Sequence, residues 1–270
     1  MDIKRILSAL VGIPVVLGIL IYGELYFFYA LVLFISCFCF YELNSMFEKK
    51  GEQIQAPFIY GAALILTSTA AFCPEYQALY IAFTLLFLVF YLFSLKTVKN
   101  LEQSFKEVGL YSFSLIFIGL SLSHLLYIRK LEMADGGYYL FFLIVFIWIG
   151  DTAAYFTGRN FGKRKLAPMV SPGKTIEGGI GQVVSSLAFT FFCGHYFGLP
   201  GNTVTLLALG LILSVVAMYS DIAESLIKRV YGVKDSGNTI PGHGGFLDRV
   251  DSFFLTAPLF YYYLVFSKLY

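Results

Sequence analysis

The residues able to do chemistry gather near the C-terminal end of the chain. Asp221, Asp235, Asp248 and Asp251 bring carboxylates, Lys228, Arg229, Lys234 and Arg249 bring cations, and His243 precedes the pair Gly244–Gly245. Aspartate oxygens without a cysteine or histidine cluster select a hard cation, and magnesium is typically held by one or two carboxylates plus substrate phosphates. The lysines and arginines would neutralise the phosphate charge that a metal leaves over. The inventory therefore suits a polyphosphate held by a metal ion. Asp221, Ser225, Lys228 and Arg229 fall at i, i+4, i+7 and i+8, which puts them on one face if a helix continues to about Val230. Gly237, Pro241, Gly242, Gly244 and Gly245 then demand a loop. A last span beginning near Phe246 would carry Asp248 and Asp251 on one face of its first turns. Helix-dipole stabilisation, worth under about 1 kcal/mol, accounts for one such aspartate but not for the cluster. Apolar runs flank Asp221 and Asp251, where a lone carboxylate meets heavy desolvation or takes up a proton. Asp221, Asp248 and Asp251 are therefore expected to converge on the cation.

A second group lies upstream. Asp151 is an ionisable residue inside an apolar run, and such residues usually face a cavity or a partner. Arg159, two turns on, is one available partner. Ser171-Pro-Gly-Lys174-Thr175 reads as a proline-stiffened turn leading into a helix, where backbone N–H groups and a lysine can meet an anion. Lys163, Arg164 and Lys165 read as an inner-face anchor. Gly178, Gly179 and Gly181 permit close helix packing. His243 is either a phosphate contact or a loop-shaping hydrogen-bond partner. Glu42, inside the end of the second span, reads as a carboxylate reaching toward the membrane interface.

The elements that position these groups are membrane helices. Of 270 residues, 58% are hydrophobic and 13% charged, with mean hydropathy +0.76; soluble domains carry about a quarter charged residues. Cys37, Cys39, Cys73 and Cys193 all lie in apolar runs with neither disulfide nor zinc spacing. A span needs about 20 mostly apolar residues, which places spans near 6–22, 25–44, 58–73, 77–95, 109–127, 137–157, 177–198, 203–222 and 252–268. The first is expected to be a span rather than a cleaved leader, since it lacks a small-residue cleavage site. The fold class is all-α and polytopic, with about nine transmembrane helices. Residues 1–136 hold spans 1–5, and 137–270 form the catalytic region with spans 6–9. With a cytoplasmic N-terminus, sixteen of the 19 basic residues fall on the inner side and three on the outer, as the positive-inside rule requires. The active site is then on the cytoplasmic side of the cell's inner membrane.

Ser225-x-Ile-Lys228-Arg229, Lys234-Asp235-x-Gly237, and Ile240-Pro241-x-His243-Gly244-Gly245-Phe246-x-Asp248-Arg249-Val250-Asp251 together resemble the signature of the phosphatidate cytidylyltransferases, the CDP-diacylglycerol synthases. Asp151-x-x-Ala-Tyr155-x-x-Gly158-Arg159-x-Phe161-Gly162-Lys163 and Ser171-Pro172-x-Lys174-Thr175-x-Glu177-Gly178 resemble the same family. The resemblance implies condensation of CTP with phosphatidic acid to CDP-diacylglycerol and pyrophosphate in phospholipid biosynthesis. It implies dependence on Mg²⁺, with a second cation admitted. The expected catalytic set is Asp221, Asp248, Asp251, Lys228 and Arg249, the three aspartates also being metal ligands. The expected phosphate-binding set is Lys174, Ser225, Arg229, Lys234, His243, Gly244, Gly245, Arg159 and Lys163. Expected partners are CTP, phosphatidic acid and the bilayer, with no nucleic acid; a homodimer is admitted.

Two other functions compete. A CTP-dependent lipid kinase, such as a polyprenol kinase, would pass the γ-phosphate to an alcohol and release CDP. An ion-coupled transporter would spread its charges near the bilayer midplane and show a repeat, whereas these charges gather toward one face. The topology has a direct test. Single cysteines at Lys174 and Lys234 are expected to be blocked only by reagents that reach the inner face, and labelling from outside intact cells would overturn the nine-span arrangement.

Overall fold

In hydrocarbon every backbone N–H and C=O must be satisfied within the protein, and a helix does this inside one segment. The described residues are accordingly mostly helical. The computed structural model describes residues 3–98, 100–135, 138–242 and 244–267; His243, Lys99 and Lys268 lie outside them. The helices are α1 (Ile3–Tyr22), α2 (Leu25–Glu48), α3 (Ala56–Phe72), α4 (Gln77–Lys96), α5 (Leu101–Ser114), α6 (Ser121–Asp135), α7 (Tyr139–Phe161), α8 (Ile176–Cys193), α9 (Thr203–Val230), α10 (Leu247–Val250) and α11 (Phe253–Phe266). Leu115–Leu120 joins α5 to α6 in π-helical geometry. Among the described residues six stretches are long and apolar enough to cross a bilayer: Leu25–Glu48, Gln77–Lys96, Leu101–Ala134, Tyr139–Phe161, Ile176–Cys193 and Thr203–Val230. Gly12–Tyr22 and Ala56–Phe72 are shorter apolar helices, and α11 has 14 residues. The protein is an all-α, multi-pass membrane protein.

Two units are present. One comprises Met1–Tyr127 and Tyr231–Val250, the other Ile128–Val230 and Asp251–Tyr270. In the first, α3 packs against α2 and α4, α4 against α5, and the short α10 against α2. In the second, α8 packs against α7 and α9, and α9 against α11.

The α7–α8 contact is made close by glycine. A Cβ on Gly178 would meet the Ala154 carbonyl oxygen at 2.9 Å and the Gly158 Cα at 3.4 Å. One on Gly181 would meet the Thr157 Oγ1 at 2.3 Å. Between these helices lies a small antiparallel hairpin that the spacing does not predict. β1 (Lys165–Ala167) pairs with β2 (Ser171–Thr175), with Lys165 opposite Thr175 and Ala167 opposite Ser171. The proline-stiffened stretch is thus a strand rather than a turn. A two-stranded sheet has only edge strands, which tolerate proline. Thr175 closes β2 and caps α8, its Oγ1 accepting from the Gly178 N–H at 3.1 Å.

A second difference concerns the last span. Rather than beginning near Phe246, the helix is interrupted between α10 and α11. The Asp251 carbonyl accepts from the Ser220 hydroxyl. The Asp251 Oδ1 accepts from the Ser252 N–H at 2.6 Å, and helical geometry resumes at Phe253. Asp248 and Asp251 therefore do not share one face of a continuous helix. Asp251 instead hangs from a turn that α9 itself holds.

Backbone contact at Gly178 makes a specific prediction. Gly178→Ala should cost about 1–3 kcal/mol, the usual range for overpacking, read as a lowered melting temperature in detergent. Gly173→Ala, with nothing within 4 Å of the added carbon, should melt like the parent.

Candidate active site

Helix α9 runs on to Val230, so Asp221, Glu224, Ser225 and Lys228 recur on one face. The turn before α11 brings Asp251 to the same place. One carboxylate oxygen each from Asp221, Glu224 and Asp251 lies within 4.8 Å of the others. Glu224 is fully buried, while Asp221 and Asp251 are partly exposed. Two lysines face this group. The Lys174 Nζ, from β2, sits 2.6 Å from the Asp221 Oδ2. The Lys228 Nζ sits 2.6 Å from the Glu224 Oε2. Asp151, on α7, lies close enough to feel the charges of Asp221 and Lys174. Burial, and after it the charge of Asp221, push the Asp251 carboxyl well above the ordinary carboxylate range. Three crowded carboxylates with oxygen-only donors fit a hard divalent cation and fit zinc or copper poorly.

Other basic residues of this unit also make contacts within it. The Arg229 Nε donates to the Val170 carbonyl at 3.1 Å, tying the end of α9 to the hairpin. The Arg159 Nη1 donates to the Tyr155 hydroxyl at 3.1 Å. Glu177 accepts from the Lys163 and Arg164 amides at 3.1 and 3.2 Å, fixing the bend between α7 and β1. The Ser225 hydroxyl points at the Asp221 Oδ1 from 3.5 Å.

The glycine-rich loop belongs to the other unit, where it closes on α2. Tyr231 donates to the Glu52 Oε2 at 3.0 Å and lies against Phe47. Glu42 is 1% exposed. Its Oε2 accepts from the Ser236 hydroxyl at 2.8 Å and the Leu247 N–H at 2.9 Å. Its Oε1 accepts from the Phe246 N–H at 3.0 Å and from the Thr239 hydroxyl. Asp248 accepts from the Ser236 and Gly245 amides at 3.0 and 2.9 Å. Ile240 donates its N–H to the Gly244 carbonyl at 2.9 Å, with Gly244 at φ +85°. Lys234 and Arg249 are exposed on this loop.

Of the expected metal set, Asp221 and Asp251 meet, with Glu224 as their third member. Asp248 sits in the other unit, engaged by loop amides. Of the phosphate set, Lys174 and Ser225 stand at the carboxylate group; Lys234, Gly244 and Gly245 belong to the loop; His243 is outside the described residues. Spacing alone could have found Glu224, since Asp221, Glu224 and Lys228 sit at i, i+3 and i+7. The grip of Glu42 had no local signal. Its partners are 194 to 205 residues away in sequence, and it is buried rather than reaching for an interface.

A family model described as the cytidylyltransferase family matches residues 3–267. A phosphatidate cytidylyltransferase from Bacillus subtilis (strain 168) is 36% identical over 265 residues, covering 97% of each chain. One from Staphylococcus haemolyticus (strain JCSC1435) is 32% identical over 257 residues, covering 94% of this chain and 96% of the relative. One from Thermotoga maritima is 37% identical over 183 residues, covering 66% and 67%. With the matched model spanning both units and two of these relatives aligned over more than nine-tenths of each chain, the chain belongs to the cytidylyltransferase family.

Proposed function

We propose that this protein is a phosphatidate cytidylyltransferase, joining CTP and phosphatidic acid to give CDP-diacylglycerol and pyrophosphate. The observation that carries the proposal is the group Asp221, Glu224 and Asp251 faced by Lys174 and Lys228, built around the membrane helix α9 of a cytidylyltransferase. In the reaction a phosphate oxygen of phosphatidic acid attacks the α-phosphorus of CTP. The bond from that phosphorus to the bridging oxygen of the β-phosphate breaks, and pyrophosphate leaves with the electron pair. The attacking phosphate is already ionised near neutral pH, so no general base is required. This agrees with a chain that has only three histidines. The difficulty is bringing anions together, and fixed positive charge answers it.

Asp221, Glu224 and Asp251 would hold a divalent cation, with Mg²⁺ the best match to three carboxylate oxygens beside a polyphosphate. When bound, it would neutralise phosphate charge and orient the oxygens around the α-phosphorus. Lys174 and Lys228, already seated on Asp221 and Glu224, are assigned to the same phosphate charge. Lys234 and Arg249 are assigned to the triphosphate through their place in the signature, which runs directly from Arg229 and into Asp251. Asp248 is assigned to loop shape, because loop amides engage its carboxylate. Adding α1, α3 and α11 to the six long helical stretches gives nine crossings, and the basic connections then share one side. We assign that side to the cytoplasm, where CTP is available.

The decisive experiment incubates purified protein in mixed micelles with cytidine-labelled CTP, phosphatidic acid and Mg²⁺. Label should enter the lipid phase with release of pyrophosphate. A phospholipid product formed with release of CDP, and no lipid-borne cytidine, would mark a lipid kinase and defeat the proposal. Asp221→Asn, Glu224→Gln and Asp251→Asn should each lose most activity and raise the Mg²⁺ concentration needed for half-maximal rate. Asp235→Asn should stay near the parent, and Asp248→Asn should lose activity without a changed Mg²⁺ demand. A well-folded Asp221→Asn protein with normal rate and normal Mg²⁺ dependence would remove Asp221 from the site. Among the cations, Lys228→Ala, Lys234→Ala or Arg249→Ala should lower turnover by about 10²-fold or more, the usual cost of a charge-stabilising donor. Lys49→Ala should not.

A further inference from the structure

A carboxylate with both oxygens buried is an acceptor-only group, and it needs donors on every side. Among the described residues Glu42 has four: two backbone amides, Phe246 and Leu247, and two hydroxyls, Ser236 and Thr239. All four come from one stretch of twelve residues, 236–247. A second observation points to the same place from the loop side. A Cβ on Gly245 would stand 2.2 Å from the Glu42 Oε2 and 2.0 Å from the Ser236 Oγ. One on Gly237 would stand 3.0 Å from the Glu42 Oε1. Two of the signature glycines are therefore small because a carboxylate occupies the space beside them. The loop is also anchored by aromatic contact, with Phe246 lying 5.0 Å from Phe38 and 5.5 Å from Phe34 between ring centroids.

The consequences propagate within the loop. Ser236 gives its hydroxyl to Glu42 and its amide to Asp248, while Gly245 gives its amide to Asp248. Asp248 and Glu42 thus together clamp Ser236 to residues 245–247 of the loop. Lys234 lies two residues before this clamp and Arg249 two residues after it. Fixing residues 236–247 limits where both cations can reach.

We propose that Glu42 is a positioning residue for the reaction: its buried carboxylate is the template on which residues 236–247 fold, and it acts on the triphosphate through Lys234 and Arg249. The kinetic half of this proposal rests on the reaction proposed above; the structural half does not. Glutamine is the discriminating substitution. An amide presents one acceptor oxygen and one NH₂ group. Whichever way it turns, one backbone amide of Phe246 or Leu247 faces a donor and is orphaned, although a hydroxyl can rotate to accept. Gly245→Ala attacks the same contact from the loop and leaves α2 unaltered.

The test compares the parent, Glu42→Gln, Gly245→Ala and the control Lys49→Ala, each purified as the full chain. Hydrogen–deuterium exchange should quicken by about tenfold or more across 236–247 in the first two variants, as expected for a lost buried hydrogen bond, with α2 unchanged. Their KM for CTP should rise by about tenfold or more while KM for phosphatidic acid stays within about threefold, since binding and not global structure is altered. Lys49→Ala should match the parent in both measurements. Parent-like exchange and parent-like KM for CTP in Gly245→Ala would overturn the proposal, even if Glu42→Gln failed to fold. If the parent makes no CDP-diacylglycerol, the reaction assigned above fails, and exchange across 236–247 alone decides whether Glu42 is the template.

Discussion

Three carboxylates with oxygens within 4.8 Å of one another repel by at least about 3.5 kcal/mol per charged pair at an effective dielectric constant of about 20. Such a group persists in a fold only where positive charge is built in beside it. Lys174 and Lys228 supply that charge at 2.6 Å each, and much of the second unit is arranged to bring them there. α9 must stay helical past the apolar run so that Lys228 falls one turn below Glu224. β2 must end at Thr175 so that Lys174 reaches Asp221. The turn at Asp251 must be held by Ser220, which donates to its carbonyl. A cation bound by the carboxylates would complete this balance, and the same excess of negative charge explains why one is called for.

The hairpin and the glycine pairs serve the same end. Gly178 and Gly181 let α8 lie against α7 at backbone contact, which places the start of α8, and with it Thr175, beside Gly158. Glu177 ties the bend after α7 through the Lys163 and Arg164 amides. Arg229 ties the far end of α9 to the hairpin through the Val170 carbonyl. These charged residues resemble ligand-binding groups when seen in sequence. In the fold, part of their hydrogen-bonding capacity is spent on backbone.

The loop between Tyr231 and Val250 solves a different problem. It is too rich in glycine to form regular structure and too polar to bury unaided. Its shape comes from two carboxylates, Glu42 and Asp248, which accept its amides and hydroxyls. Hydrogen bonds to a charged acceptor are worth about 1.5–3 kcal/mol each, and leaving a buried donor unmet costs a similar amount. A few such bonds are enough to select one loop conformation, which glycine entropy would otherwise oppose.

What the sequence determined by itself was whatever depends on neighbours along the chain. Apolar runs of about twenty residues could be only helices in lipid. The spacing of Asp221, Ser225 and Lys228 put them on one face of α9, and the glycines required a loop. The continuous signature from Ser225 to Asp251 pointed to the family that the whole-chain comparison shows. The tertiary structure decided what depends on distant segments. Asp251 left the helical register that its spacing with Asp248 suggested, because Ser220 takes its carbonyl. Glu224 stands with Asp221 and Asp251 because α9 continues unbroken, while loop amides engage Asp248. Glu42, on the second helix, became the centre of a loop some two hundred residues later. No periodicity records such a contact, since a buried carboxylate is satisfied by geometry in space and not by spacing along the chain.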